Sequence, residues 1–168
     1  MVLLLKKLSL VKIYAIVVII FLLSLLLAFF YTNPVHTEGV TRHKVTVNFN
    51  YIFINNLKVA LLLIFLGPLT LGLGTFIVLV INGLIIGSFL GSIRENLSLI
   101  SLLAPHGIIE VPVLLLAASV GFKMVLHVFS MKMDFRFLFK YLLIVVFGLL
   151  IAAGIETFVT PMFLKGVL

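Results

Sequence analysis

The chain has 168 residues, of which 64% are hydrophobic and 10% are charged, and its mean hydropathy is +1.41. Soluble domains carry about 25% charged residues, so this composition excludes a soluble globular protein and predicts an integral membrane protein. We attribute the net charge of +7 to membrane orientation and contact with anionic lipid rather than to nucleic-acid binding. The absence of cysteine excludes disulfides, a thiolate metal site and a thiol nucleophile.

The first hydrophobic segment covers about 13–31 and follows a stretch that contains Lys6, Lys7 and Lys12. It is too long for the hydrophobic region of a signal peptide, and no small-residue cleavage site follows it, so we predict a retained span. The positive-inside rule places the N-terminus in the cytoplasm and the polar segment 33–50 in an extracytoplasmic loop.

The second and third segments cover about 51–66 and 69–92, with a predicted turn at Gly67-Pro68 between them. Because the second segment is short and contains asparagines and a lysine, a re-entrant pair that does not cross the membrane twice is the alternative. An interfacial helix before the fourth segment is a further alternative.

The third segment carries a stripe of glycines at intervals of four residues, Gly83, Gly87 and Gly91. Small residues at this spacing allow the backbone of a second helix to approach closely. The stripe therefore predicts helix packing, either inside one protomer or across a homodimer.

The fourth and fifth segments cover about 105–122 and 141–160, and the fourth begins with Pro105 in its first turn. Between them, 123–140 is basic and amphipathic. It places Lys132, Arg136 and Lys140 on one helical face. Five spans with a cytoplasmic N-terminus put this segment in the cytoplasm, as the positive-inside rule requires. The predicted fold is an all-α polytopic transmembrane bundle of five or six spans, forming a single integral membrane domain over 1–168.

Polar side chains are predicted to converge in the outer half of this bundle. His106 and Glu110 are one helical turn apart and share a face of the fourth span. Counting along the spans brings Asn55, Asn82 and Glu156 to a similar depth. A carboxylate inside a span costs about 2.5–3.5 kcal/mol on insertion scales, so both glutamates require partners or protons.

Two interpretations of this polar layer remain open. It could bind a proton, a polar substrate or a divalent metal such as zinc, with His106, Glu110 and Glu156 as ligands. It could instead be a hydrogen-bonded lock that holds the helices together without any cofactor.

Several short motifs resemble those of the membrane proteins related to stage II sporulation protein M. They are N-N-x-K-V-A at 55–60 with Gly67-Pro68, Asn82-Gly83 with Gly87, Pro105-His106-Gly107-x-x-Glu110, and Ile155-Glu156 with Thr160-Pro161. The resemblance covers about 50–161. It implies a polar site formed by Asn82, His106, Gly107, Glu110 and Glu156. It also implies a membrane component of a machine that, in spore-forming bacteria, includes peptidoglycan hydrolases.

Three functions follow from these expectations. The first, which we favour, is a non-enzymatic multi-pass cell-membrane protein that acts as a scaffold in an envelope-associated complex. Its partners would be the lipid bilayer and either a second copy, in a homodimer, or other membrane or envelope proteins. The second is a transporter or permease subunit in which Glu110 and Glu156 carry protons or substrate. The third is an intramembrane metal-dependent hydrolase, although the stronger H-E-x-x-H arrangement is absent.

Cysteine labelling tests the topology, because the chain contains no native cysteine. Thr37→Cys and Asn96→Cys should react with a membrane-impermeant maleimide from outside the cell, and Ser130→Cys only after the membrane is opened. If the variants at Asn96 and Ser130 exchange sides, the predicted convergence of polar side chains is wrong.

Overall fold

Five α-helices account for most of the described chain in a computed structural model. The structure describes residues 8–35, 48–95 and 97–159, without the side chains of 97–106 and Val159. The helices are α1 (Leu10–Tyr31), α2 (Phe49–Leu69), α3 (Leu73–Ser92), α4 (Leu97–Phe129) and α5 (Phe135–Gly154), and α5 continues into a π-helical turn, Ile155–Val159. No strand occurs in these ranges, and the predicted all-α fold is confirmed.

Each of the five helices is long and apolar enough to cross a membrane. In α1, α2 and α3 the apolar stretch is the whole helix, whereas in α4 it covers Gly107–Phe129. The 33 residues of α4 extend roughly 50 Å, which exceeds the hydrocarbon thickness of about 30 Å. The described residues therefore contain five helices able to span a membrane, as the sequence predicted. The predicted loop 33–50 lies mostly outside the described residues.

The helix boundaries differ from the predicted ones at both prolines. Pro68 lies inside α2, and Pro105 lies inside α4, which begins at Leu97. A proline in the last turn removes one backbone hydrogen bond, and α2 continues to Leu69 before it ends. The Thr70 hydroxyl donates to the Leu66 carbonyl oxygen at 2.6 Å and accepts from the Gly74 N–H at 2.7 Å. It therefore joins the end of α2 to the start of α3.

The basic segment 123–140 is divided between two helices. Its first part completes α4, a turn follows, and the Asp134 side chain then caps α5 by accepting from the Phe137 N–H at 2.9 Å. Lys132 precedes α5, so Arg136 and Lys140 alone share the predicted helical face. The reason is that the chain reverses here, where the sequence pattern indicated one continuous amphipathic helix.

α4 is the central helix of the bundle and contacts every other helix. Within the most apolar stretch of each helix, 56% of the residues of α4 are buried, against 22–28% in the other four helices. Small side chains such as Ala117, Ala118 and Ser119 are fully buried and allow its neighbours to approach. The outer faces of the other helices carry exposed leucine, isoleucine and phenylalanine, as expected where lipid replaces water.

The glycine stripe of α3 packs against α1 inside the chain. A Cβ atom at Gly83, Gly87 or Gly91 would overlap atoms of α1, among them the Leu25 carbonyl oxygen opposite Gly87. The close approach of backbones that the stripe permits is therefore used within one protomer. A homodimer would need a different surface.

The helices alternate in direction, so the two ends of the bundle are well defined. At one end, the Lys123 ammonium donates to the Leu8 carbonyl oxygen at 2.6 Å, which joins the end of α4 to the residues before α1. At the other end, the Val35 N–H donates to the Ser92 carbonyl oxygen at 3.0 Å. We call these the Leu8 end and the Ser92 end.

Candidate functional site: a buried polar pair between α2 and α4

Glu110 on α4 is bonded to Asn56 on α2 across the helix interface. The Asn56 Nδ2 donates to the Glu110 Oε2 at 2.6 Å. The two residues are only 8% and 7% exposed, so the bond is made in an interior shielded from lipid and water alike. It directly links two spans through side chains that a membrane interior would otherwise disfavour.

The sequence positions of this contact define a parallel helix pair. Asn56 and Glu110 are 54 residues apart. The same offset relates Gly67 to Gly121, and a Cβ atom at either glycine would overlap backbone of the other helix. Because both helices run from the Ser92 end to the Leu8 end, a constant offset is what a parallel register requires. Asn56 and Gly67 are separated by about three helical turns and share the buried face of α2.

A third helix is attached to the same seam. The Thr75 hydroxyl of α3 is fully buried and donates to the Leu63 carbonyl oxygen of α2 at 2.8 Å. A Cβ atom at Gly121 would overlap that carbonyl oxygen, so α4 also lies directly against it. The interface between α2 and α4 is thus held by a polar pair near the Ser92 end and by close backbone packing towards the Leu8 end.

The chemistry of the pair is a hydrogen bond in a low-dielectric environment. An amide N–H can donate to a carboxylate or to a protonated carboxyl group, so the contact suits either state of Glu110. Removal of the Glu110 side chain would leave the buried Asn56 Nδ2 without this acceptor, which costs about 1–3 kcal/mol. The bond therefore explains how a carboxyl group is accommodated inside the bundle.

Two other predicted site residues, Asn82 and Gly107, make no described hydrogen bond with the side chains of the polar pair. The Asn82 amide is half-buried and donates to the Val78 carbonyl oxygen of its own helix at 2.8 Å. Gly107 lies three residues before Glu110, and a Cβ atom there would meet no described atom within 4 Å. The side chain of His106 lies outside the described residues.

Glu156 lies in the π-helical turn that follows α5, and this turn packs against α4. The side chain is half-buried. The neighbouring Thr157 hydroxyl is buried and has no hydrogen-bond partner among the described residues. A π turn of this kind is often found where a helix is adapted to a functional site.

A metal centre remains a prediction. Among the described side chains, no group of three or more His, Cys, Asp or Glu residues is placed to hold a metal ion. The predicted ligand set includes His106, whose side chain lies outside the described residues. Glu110 and Glu156 lie on elements that contact each other, and one hydrogen bond of Glu110 is with Asn56.

Asn56 is the site residue that the sequence did not single out. Counting along the spans predicts Asn55 in the polar layer, whereas in the structure Asn55 is exposed and Asn56 is buried. A usable signal was present, because Asn56, Ala60, Leu63 and Gly67 follow the spacing of one helical face that ends in glycine. Adjacent asparagines point in directions about 100° apart, so a one-residue difference decides which of them is buried.

Five long apolar helices around a buried polar pair define an integral membrane protein. The family model of stage II sporulation protein M matches residues 17–161. A protein of Methanocaldococcus jannaschii described as uncharacterized is 35% identical over 145 residues, which cover 77% of this chain and 81% of the relative. No solved structure matches the chain. The chain belongs to the stage II sporulation protein M family, as the motifs had indicated.

A double-mutant cycle tests the polar pair. We expect Asn56→Ala and Glu110→Ala each to lower the free energy of unfolding in detergent. Their combined effect should be smaller than the sum by about 1 kcal/mol, which is in the measured range for hydrogen bonds between membrane helices. Asn55→Ala is the matched control, because Asn55 is exposed. A cycle between Asn55 and Glu110 should give a coupling near zero, and an equal coupling in both cycles would contradict the assignment.

Proposed function

We propose that the protein is a non-enzymatic, multi-pass component of the cell membrane that acts as a scaffold in an envelope-associated complex. The observation that carries this proposal is the buried hydrogen bond between Asn56 and Glu110. A carboxyl group that binds an amide across a helix interface stabilises one arrangement of the helices. A fixed arrangement is what a scaffold must present to its partners.

The packing around the pair supports the same function. α1 lies against the glycine stripe of α3, and α2 lies against Gly121 of α4, in each case with backbones in contact. Interfaces of this kind cannot slide without overlap between atoms. An alternating-access transporter, in contrast, requires one part of the bundle to rock against another.

The distribution of charge supports a cytoplasmic N-terminus. Among the described residues, the Leu8 end carries five cations and one anion, namely Lys12, Lys123, Lys132, Arg136 and Lys140 with Asp134. The short turn at the Ser92 end carries Arg94 and Glu95, whose charges cancel. By the positive-inside rule, the Leu8 end faces the cytoplasm. The Asn56–Glu110 pair then lies in the outer half of the membrane.

Family membership supports a role at the envelope. The resemblance noted from the motifs is to a membrane component that works beside peptidoglycan hydrolases. We assign this chain the membrane-embedded part of such an assembly and no cleavage chemistry of its own. Its partners would be other membrane or envelope proteins, with lipid around the remaining helix faces.

Two substitutions at Glu110 separate a structural carboxyl group from a chemical one. Glu110→Gln keeps an oxygen that accepts from Asn56, whereas Glu110→Ala removes the acceptor. We expect the glutamine variant to unfold within a few degrees of the wild type and to be recovered from native membranes with the same envelope proteins after crosslinking. The alanine variant should be less stable by about 1–3 kcal/mol. Because fewer of its molecules are folded, smaller amounts of those envelope proteins should be recovered with it.

Ile108→Ala is the control for this comparison, because Ile108 lies two residues from Glu110 and its side chain is 70% exposed. Ile108→Ala should match the wild type both in its unfolding temperature and in the envelope proteins recovered with it. The scaffold function would be contradicted if the glutamine variant folded normally but could not replace the wild-type protein in cells. That result would mean that the carboxyl group exchanges a proton or binds a ligand, as a transporter or hydrolase requires.

A further inference from the structure

An apolar groove runs along the outer face of α5 at the Leu8 end. It has a volume of about 420 Å³ and is lined by Phe135, Arg136, Leu138, Phe139 and Leu142. The four apolar residues follow the spacing of one helical face. Phe135 and Phe139 are 69% and 63% exposed, so the rest of the bundle leaves this face uncovered.

Arg136 is the one charged residue that lines the groove, and it lies at the end nearest the turn. Its side chain is exposed. The nearby Asp134 carboxylate accepts from the Phe137 N–H and so caps the helix. Lys132 and Lys140 lie on either side of Arg136 in sequence and are both exposed. The groove itself is almost entirely apolar, and three exposed cations lie at the same end of the helix.

We propose that this groove binds one anionic phospholipid, with the phosphate at Arg136 and the upper part of an acyl chain along Phe139 and Leu142. From Phe135 to Leu142 the helix rises roughly 10 Å, which suits the segment of a chain just below its headgroup. The polar end of the groove faces the membrane surface and its apolar end faces the hydrocarbon. This is the order in which a phospholipid presents its own groups.

The charges favour lipid over a second copy of the chain. A symmetric dimer through this face would bring Arg136 and its neighbouring lysines close to the same residues of the partner. Like charges placed opposite each other destabilise an interface. An anionic lipid instead places a negative phosphate at the cations. The proposal requires that α5 span the bilayer, and it does not depend on the scaffold function or on which leaflet the Leu8 end meets.

Tryptophan fluorescence can test this proposal directly, because the chain contains no tryptophan. Phe139→Trp introduces a single fluorescent probe in the groove. The protein is then reconstituted into mixtures of phosphatidylcholine and phosphatidylglycerol in which one of the two lipids carries brominated chains that quench the tryptophan fluorescence. We expect brominated phosphatidylglycerol to be preferred at the probe by about fivefold or more, the factor that one surface arginine contributes to anionic-lipid binding. Phe147→Trp is the matched probe, because Phe147 is 62% exposed on the same helix outside the groove. It should show no more than a twofold preference.

Two charge variants in the Phe139→Trp background identify the headgroup contact. Arg136→Gln should lower the preference about fivefold, whereas Lys12→Gln, which removes the same charge from α1 at the same end, should change it less than twofold. Equal quenching by the two lipids would overturn the proposal, and so would equal effects of the two charge variants, which would indicate a diffuse attraction. Protection of the probe from both lipids would mean that a protein covers the groove, which would also overturn it.

Discussion

A carboxyl group buried among apolar helices needs a hydrogen-bond partner, and this requirement sets the register of α2 against α4. Asn56 meets it by donating to Glu110 at 2.6 Å. Three turns further along, Gly67 and Gly121 bring the same two helices into backbone contact at the same sequence offset. The polar pair and the glycine pair therefore specify one parallel alignment. A shift by one residue would both bury an unsatisfied group and force atoms to overlap.

The rest of the bundle is arranged around this alignment. α4 contacts all the other helices and is the most buried of them, so its position determines theirs. Thr75 attaches α3 to α2, and the glycine stripe of α3 then receives α1. Polar groups and small residues are the features that drive helix association in a membrane, where burial of apolar side chains against one another gains little over lipid. The same features favour a fixed bundle, which is consistent with the scaffold that we propose.

Much of the fold could be predicted from the sequence because span number depends on hydrophobic length alone. The pairing of helices could not, because it depends on which faces meet across a 54-residue separation. Thus the sequence indicates that Glu110 needs a partner, but counting along the spans points to Asn55 and not to its neighbour Asn56. The stripe at Gly83, Gly87 and Gly91 predicted close packing without indicating that α1 is the helix packed there. Pro68 and Pro105 were placed at helix ends because proline often marks them, although both lie within helices.

Crosslinking of paired cysteines would test most directly whether α2 and α4 meet at Asn56 and Glu110. Because the chain contains no cysteine, Asn56→Cys and Glu110→Cys can be introduced together as its two thiols. The double variant is then treated in membranes with a short bifunctional thiol reagent. The predicted result is rapid crosslinking within one chain, with none for the control pair Asn55→Cys and Glu110→Cys. Equal crosslinking of both pairs, or crosslinking mainly between two copies of the chain, would contradict the parallel register on which the structure depends.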